Sequence, residues 1–263
     1  IRRDMTRSIP MNRLLQGDVG SGKTMVAQYA MLLCVANGHQ AAMMAPTEVL
    51  ARQHAQSLEN SLSHSRVRVG LLTGNMSRRE RSNLMDRIAS GDVDLVLGTQ
   101  ALLSQQVQFK RLGLVIVDEQ HKFGVLQRSQ LRRENIQPHY LILSATPIPR
   151  TIAMSAFGDL DVSVIRSKPP GRAKVNTYLA SQQQLDSWWR FVDQQVAKGR
   201  QAYVIAPRVL ESSSDETMAS AEGTFAQLRD GPFHHRRVGL LHGRLTSDEK
   251  ERVLGEFQAR RLD

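Results

Sequence analysis

Leu14-Leu15-Gln16-Gly17-Asp18-Val19-Gly20-Ser21-Gly22-Lys23-Thr24 constrains this chain more than any other stretch. From Gly17 it spells G-x-x-x-x-G-K-[ST], which average composition produces in roughly one chain in a hundred of this length. Apolar Leu14-Leu15 reads as a strand and residues 25–35 as a buried helix, with glycines at the turn between them. A strand that passes through such a turn into a helix places successive backbone N–H groups, and the positive end of the helix dipole, around one anion. Gly17, Asp18, Val19, Gly20, Ser21, Gly22, Lys23 and Thr24 are therefore candidate contacts for a nucleotide polyphosphate. Lys23 is expected to reach the β- and γ-phosphates, and the Thr24 hydroxyl to bind Mg²⁺.

The rest of the chain repeats this alternation of strand and helix. Short apolar runs at 41–45, 67–72, 95–99, 114–117 and 141–143 read as buried strands. Helical periodicity at 23–37, 48–62 and 77–88 separates Leu14-Leu15 and the first three of these runs from one another. Polar residues gather where each strand ends, the pattern of a doubly wound sheet that binds ligands beyond its strand carboxyl ends. Residues 2–13 are basic and are expected to be only partly ordered. Ser167-Lys168-Pro169-Pro170-Gly171-Arg172 reads as a linker. Beyond it, strands are expected at 175–179, 202–206 and 238–241, and helices at 181–198, 217–229 and 246–257. The expected boundaries are a first lobe at 1–166, a linker at 167–174 and an incomplete second lobe at 175–263.

Composition narrows the partners. A formal charge of +10 over 263 residues favours a polyanion. With aromatics at only 5%, contact through backbone phosphates fits better than base stacking. No apolar run approaches the ~20 residues needed to span a bilayer. The single cysteine, Cys34, lies among Met31, Leu32, Leu33 and Val35 and reads as a small core residue, which excludes a disulfide framework. Trp188-Trp189 lies in a helical pattern that would put one ring in the core.

Asp118-Glu119 closes the apolar run 114–117. A carboxylate at a rigid strand tip can bind Mg²⁺ through water, and its neighbour can orient and deprotonate an attacking water. Lys23, Asp118, Glu119 and His121 are the candidate catalytic residues, with Thr24 and Asp118 at the metal.

Asp118-Glu119-Gln120-His121-Lys122-Phe123-Gly124-Val125 with Gln127-Arg128 closely resembles the DEQH segment of the RecG branched-DNA helicases. Gly17 to Thr24 is similar to that family's phosphate loop. Ala45-Pro46-Thr47-Glu48-Val49-Leu50-Ala51 with Gln53-His54 resembles its motif Ia, Gly98-Thr99 its motif Ib, and Ala145-Thr146-Pro147-Ile148-Pro149-Arg150-Thr151 its motif III with extension. The resemblance covers nearly the whole chain in order. It implies two RecA-like P-loop NTPase lobes with parallel sheets flanked by helices, the second incomplete. ATP and Mg²⁺ are the implied cofactors. The implied activity is ATP-driven translocation on double-stranded DNA that remodels stalled forks and Holliday junctions.

By position, the resemblance assigns Gln120, His121, Ser144, Ala145 and Thr146 to coupling between nucleotide and DNA. It assigns Thr47, Arg52, Gln53, Gly98 and Thr99 to DNA contact. It also implies a monomer in the bacterial cytoplasm, associated with the nucleoid, with single-stranded DNA-binding protein as a candidate partner. Gln100 departs from the family's histidine, and Lys122 from its arginine. The Q-x-x-G-R-x-G-R pattern that carries the family's arginines is missing, so these 263 residues alone are expected to hydrolyse ATP weakly or not at all. Two alternatives stay open: the translocase core of transcription-repair coupling factor, against which Gln120 argues, and a nucleotide- and DNA-binding fragment without turnover.

Overall fold

The computed structural model describes residues 1–104, 106–118, 137–146, 160–167, 175–207 and 220–263. The chain divides into two compact units, Ile1–Ala173 and Lys174–Asp263. The expected linker at 167–174 lies, apart from Ser167, outside the described residues.

In the first unit, a short helix α1 (Arg2–Met5) precedes seven strands that form one parallel sheet. They are β1 (Asn12–Gly17), β2 (Gln40–Met44), β3 (Val69–Leu72), β4 (Leu95–Gly98), β5 (Leu112–Asp118), β6 (His139–Ser144) and β7 (Asp161–Ile165). Their order is β3-β4-β2-β5-β6-β1-β7. Helices α2 (Lys23–Ala36), α3 (Glu48–Ser61) and α4 (Arg78–Ser90) connect the early strands. The starts of two of these helices are written in the sequence. The Thr47 hydroxyl accepts from the Leu50 N–H at the head of α3, and Ser77 and Glu80 form a reciprocal capping box on α4.

Period-two alternation sorts the core onto the two faces of the sheet. Leu114 and Ile116 pack with Ala27, Met31, Ala55 and Leu58, the inward faces of α2 and α3. Val115 and Val117 pack on the other side with Leu84 and Ile88 of α4. Cys34 is buried in the first of these clusters, and burial pushes its thiol up to about 12, so it behaves as a core residue. Helix α2 is one-sided where a buried helix was expected: Met25 and Tyr29 are exposed opposite Ala27, Ala30 and Met31.

Residues 2–13 are also more ordered than their charge suggests. Asp4 of α1 is buried and accepts from Arg13 Nε at 2.7 Å. The same guanidinium donates to Ser163 Oγ at 2.8 Å and to Asp161 Oδ2 at 3.0 Å on β7. One arginine thereby ties the N-terminal segment to the edge strand. Burial alone would raise the Asp4 carboxyl, but the hydrogen bond and charge of Arg13 hold it below the usual carboxylate range. A carboxyl lowered on folding stabilises above its unfolded value, and that contribution is lost as pH falls through the folded value. Asp4→Asn is expected to cost about 1 kcal/mol near neutrality. The gap from the parent should narrow as the pH is lowered below the ordinary carboxylate range, read from urea midpoints across an acid series.

The second unit contains α5 (Leu185–Ala197), α6 (Ala221–Asp230) and α7 (Ser247–Gln258) among its described residues. Thr246 and Glu249 form a capping box on α7. Neither tryptophan of α5 is fully buried. Trp188 lies against Tyr178 and Phe191, and Trp189 meets the Phe233 ring edge-on at 5.7 Å. The stretches expected as strands at 175–179, 202–206 and 238–241 carry no assigned ladder. What links two of them is indirect: the Ala202 N–H donates to Asp263 O, and the Asp263 N–H donates to Arg237 O, each at 2.9 Å. A strand exists only with its neighbours, and apolar runs alone do not supply them. An apolar cavity of about 320 Å³, lined by Val196, Ile205, Phe225, Leu228, Leu240 and Phe257 among others, lies between the stretches 202–206 and 238–241 and the helices.

Candidate functional site

The phosphate-loop pattern forms the bend its glycines predict. Gly20 and Gly22 take positive φ values of 78° and 94°, which disfavour any side chain with a Cβ, and Gly22 caps the start of α2. The loop closes on itself through the Ser21 N–H, which donates to Asp18 O at 3.1 Å, and the Val19 N–H, which donates to Asp18 Oδ1 at 2.8 Å. Lys23 is buried, its ammonium donating to Gly17 O at 2.7 Å and to Asp18 O at 3.0 Å. The Ser21 hydroxyl is buried with no hydrogen-bond partner. Thr24 is exposed on the first turn of α2. A buried cation and an unsatisfied hydroxyl in a curl at a helix N-terminus fit a bound polyphosphate.

Sheet register brings the second element to the same edge. Gln16 of β1 is opposite Ser144 of β6, and Leu143 of β6 is opposite Asp118 of β5. The strands flanking β6 thus end at one level, two strand spacings or about 10 Å apart. Asp118 extends the even-numbered face of β5, the face covered by α3. There its Oδ2 meets His54 Nε2 at 2.8 Å, and both side chains are 14% exposed. A carboxylate only accepts, so Nε2 carries the hydrogen. Glu119, Gln120 and His121 lie outside the described residues. One carboxylate and one hydroxyl suit Mg²⁺, which keeps several waters and takes further oxygens from phosphate.

Ser144 and Thr146 engage each other beside the loop. Ser144 Oγ lies 3.0 Å from Thr146 O and 3.1 Å from Thr146 Oγ1, and it accepts from the Thr146 N–H at 3.2 Å. Gln16 Nε2 donates to Thr146 O at 3.2 Å, which joins this turn to the strand leading into the phosphate loop. Ala145 lies between them, half-buried. Sequence reasoning assigned no role to Gln16 or His54. The available signals were a polar residue ending an apolar strand and a histidine beside the Ala51, Ala55 and Leu58 stripe of α3.

The candidate DNA contacts occupy the same end of the sheet with different exposure. Thr47 and Gln53 are exposed at the start of α3. Arg52 pairs with Glu48 at 2.9 Å, one helical turn back. Gly98 is buried, its carbonyl accepting from the Ala45 N–H at 2.9 Å, so only its backbone is offered; Thr99 is half-buried beside it. The three histidines of the second unit are engaged in ordinary contacts: His235 pairs with Asp193, His234 approaches Gly231 O, and His242 Nε2 lies 3.7 Å from Glu222 Oε1.

A parallel α/β sheet carrying a phosphate loop and an aspartate at the carboxyl end of a neighbouring strand has the frame of a P-loop nucleotide-binding lobe. The sequence model of the DEAD/DEAH box helicases matches residues 3–155, and the chain belongs to that family. Within it, the chain is similar to the ATP-dependent DNA helicase RecG of Bacillus subtilis, 46% identical over 259 residues, covering 98% of this chain and 38% of that protein. It is likewise similar to RecG of Thermotoga maritima, at 44% identity over 100% of this chain and 34% of that one. The chain thus spans a little over a third of the length of these curated relatives. A solved structure of RecG bound to a three-way DNA junction aligns with 100% of this chain and 34% of its own, at 40% identity and a TM-score of 0.73. The DEAD-box helicase Mss116 bound to ssRNA, at 15% identity over 98% of this chain and 57% of its own, shares the fold with a TM-score of 0.71.

Proposed function

We propose that this chain is the ATP-hydrolysing core of a motor that translocates on double-stranded DNA and remodels branched junctions in recombination and repair. The observation that carries the reading is the convergence of the phosphate loop and Asp118 on one edge of the sheet, on either side of β6. The similarity to RecG over the whole chain supports DNA, rather than RNA, as the track.

Gly17 to Thr24 cradle the triphosphate of ATP, Lys23 turning from its loop carbonyls to the β- and γ-phosphates. Thr24 and Asp118 would hold Mg²⁺, whose charge would offset that developing on the transferred phosphoryl group. Glu119 orients and deprotonates the attacking water, and His121 assists it. Gln120, His121, Ser144, Ala145 and Thr146 pass the state of the γ-phosphate to the DNA-facing segments, as switch elements do in other nucleotide motors. Thr47, Arg52, Gln53, Gly98 and Thr99 face backbone phosphates, Arg52 exchanging Glu48 for one of them. The protein acts as a monomer on branched duplex DNA in the bacterial nucleoid, with single-stranded DNA-binding protein as a candidate partner. The lobes divide at residues 167–174.

Titration of a fluorescent ATP analogue with Mg²⁺, and of labelled forked DNA against single-stranded RNA of equal length, tests this reading. Expected are Mg²⁺-dependent nucleotide binding and preference for the fork. Glu119→Gln should keep the nucleotide and lose the residual hydrolysis. A chain that ignores Mg²⁺-nucleotide, or one that prefers the RNA, overturns the reading.

A further inference from the structure

We infer that His54 is a positioning residue for the metal-binding carboxylate: its Nε2–H holds Asp118 Oδ2 so that the remaining lone pairs of the carboxylate face the metal's water shell. The inference rests on the nucleotide site proposed above.

The geometry is specific. The two residues are 64 apart in sequence, and their polar atoms lie 2.8 Å apart with both side chains largely withdrawn from solvent. A charge-assisted hydrogen bond in such surroundings is stronger than a neutral one and fixes the orientation of its acceptor. The fold produces this meeting. Ala51 and Ala55 are the small residues through which α3 approaches the sheet, and His54 lies between them in the sequence. Asp118 continues the face of β5 that α3 covers. Because β2 runs directly into α3 and pairs with β5 as far as Met44 opposite Val117, the helix starts beside the strand tip that carries the carboxylate. The opposite side of Asp118 has its own support, since Leu143 of β6 is its ladder partner.

Removing a group that orients a metal-binding carboxylate typically lowers metal affinity about 10- to 100-fold without touching the metal. His54 also shares its helix with Thr47, Arg52 and Gln53, so the bond connects the segment proposed to face DNA with the carboxylate proposed to hold the metal.

The test compares His54→Leu, which keeps bulk and loses the donor, with His54→Gln, whose amide can reach the same oxygen. Mn²⁺ binding in the presence of mant-ADP is read by electron paramagnetic resonance, and mant-ADP binding in EDTA is read by fluorescence. Expected are a Mn²⁺ dissociation constant raised about 10-fold or more in His54→Leu, values near the parent in His54→Gln, and metal-free nucleotide binding equal in all three. His54→Asn, polar but shorter, must show the same loss and replaces the leucine variant if that chain melts early. Equal Mn²⁺ affinity in folded His54→Leu or His54→Asn overturns the role of His54 and leaves the nucleotide site intact. A parent chain without metal-dependent binding overturns the site itself, and this role with it.

Discussion

Lys23→Ala is expected to weaken binding of Mg²⁺-ATP by about two orders of magnitude, in the range for truncating one partner of a buried, hydrogen-bonded charge pair. The fold should tolerate the change. Among the described residues Lys23 donates to Gly17 O and Asp18 O of its own loop, and leaving these carbonyls without that donor costs about 1 kcal/mol. Equilibrium titration with a fluorescent ATP analogue, alongside thermal melting, separates the two effects. A variant that melts like the parent and binds ATP equally well would show that the loop is a structural turn, and the proposed motor would lose its fuel site.

The second large effect falls on stability. A Cβ added at Gly98 would lie 2.3 Å from Leu72 O and 3.0 Å from Leu102 Cγ. Leu72 O is backbone of the strand paired with β4, and Leu72 is itself fully buried, so neither strand can yield cheaply. Gly98→Ala is expected to destabilise the first unit by about 3 kcal/mol. Gly74→Ala is the matched control: nothing lies within 4 Å of the added carbon and no positive φ is involved. It should stay within about 0.5 kcal/mol of the parent. Urea denaturation followed by circular dichroism measures both. A Gly98→Ala chain as stable as the control would mean that β3 and β4 are not packed as described.

The first unit was legible wherever a local rule had a single outcome. Glycines at the phosphate loop and fully apolar strands such as 95–98 and 114–117 were read correctly from local pattern, whereas the caps at Thr47 and Ser77 came from the structure. Contacts that depend on two distant stretches were not legible. Nothing near His54 announces Asp118, and nothing near Asp4 announces that Arg13 will carry a bridge on to β7. Strand β7 itself was missed, because Asp161-Val162-Ser163-Val164-Ile165 mixes polar and apolar residues in the manner of an exposed edge, without the unbroken apolar run that marked its neighbours. The helix expected over 25–35 forms and buries Ala27, Ala30, Met31 and Cys34, but not on every side: apolar Met25 and Tyr29 satisfy a hydrophobicity count while facing outward. In the second unit, runs such as 202–206 have strand composition, but pairing is a property of neighbours. Of the candidate site, the loop and Asp118 could be read from pattern alone; the Gln16 link to Thr146 needed coordinates.

Strand β6 has a role beyond contributing Ser144. Hydrogen-bonded on both sides, it serves as a ruler between the phosphate loop and Asp118, and the gap it sets does not depend on any side chain inside it. Truncating Leu141 or Ile142 would loosen the core yet leave that gap unchanged until the sheet melts as a whole. Amide exchange along β6 should accordingly be among the slowest in the chain, and nucleotide affinity should collapse together with that protection rather than ahead of it.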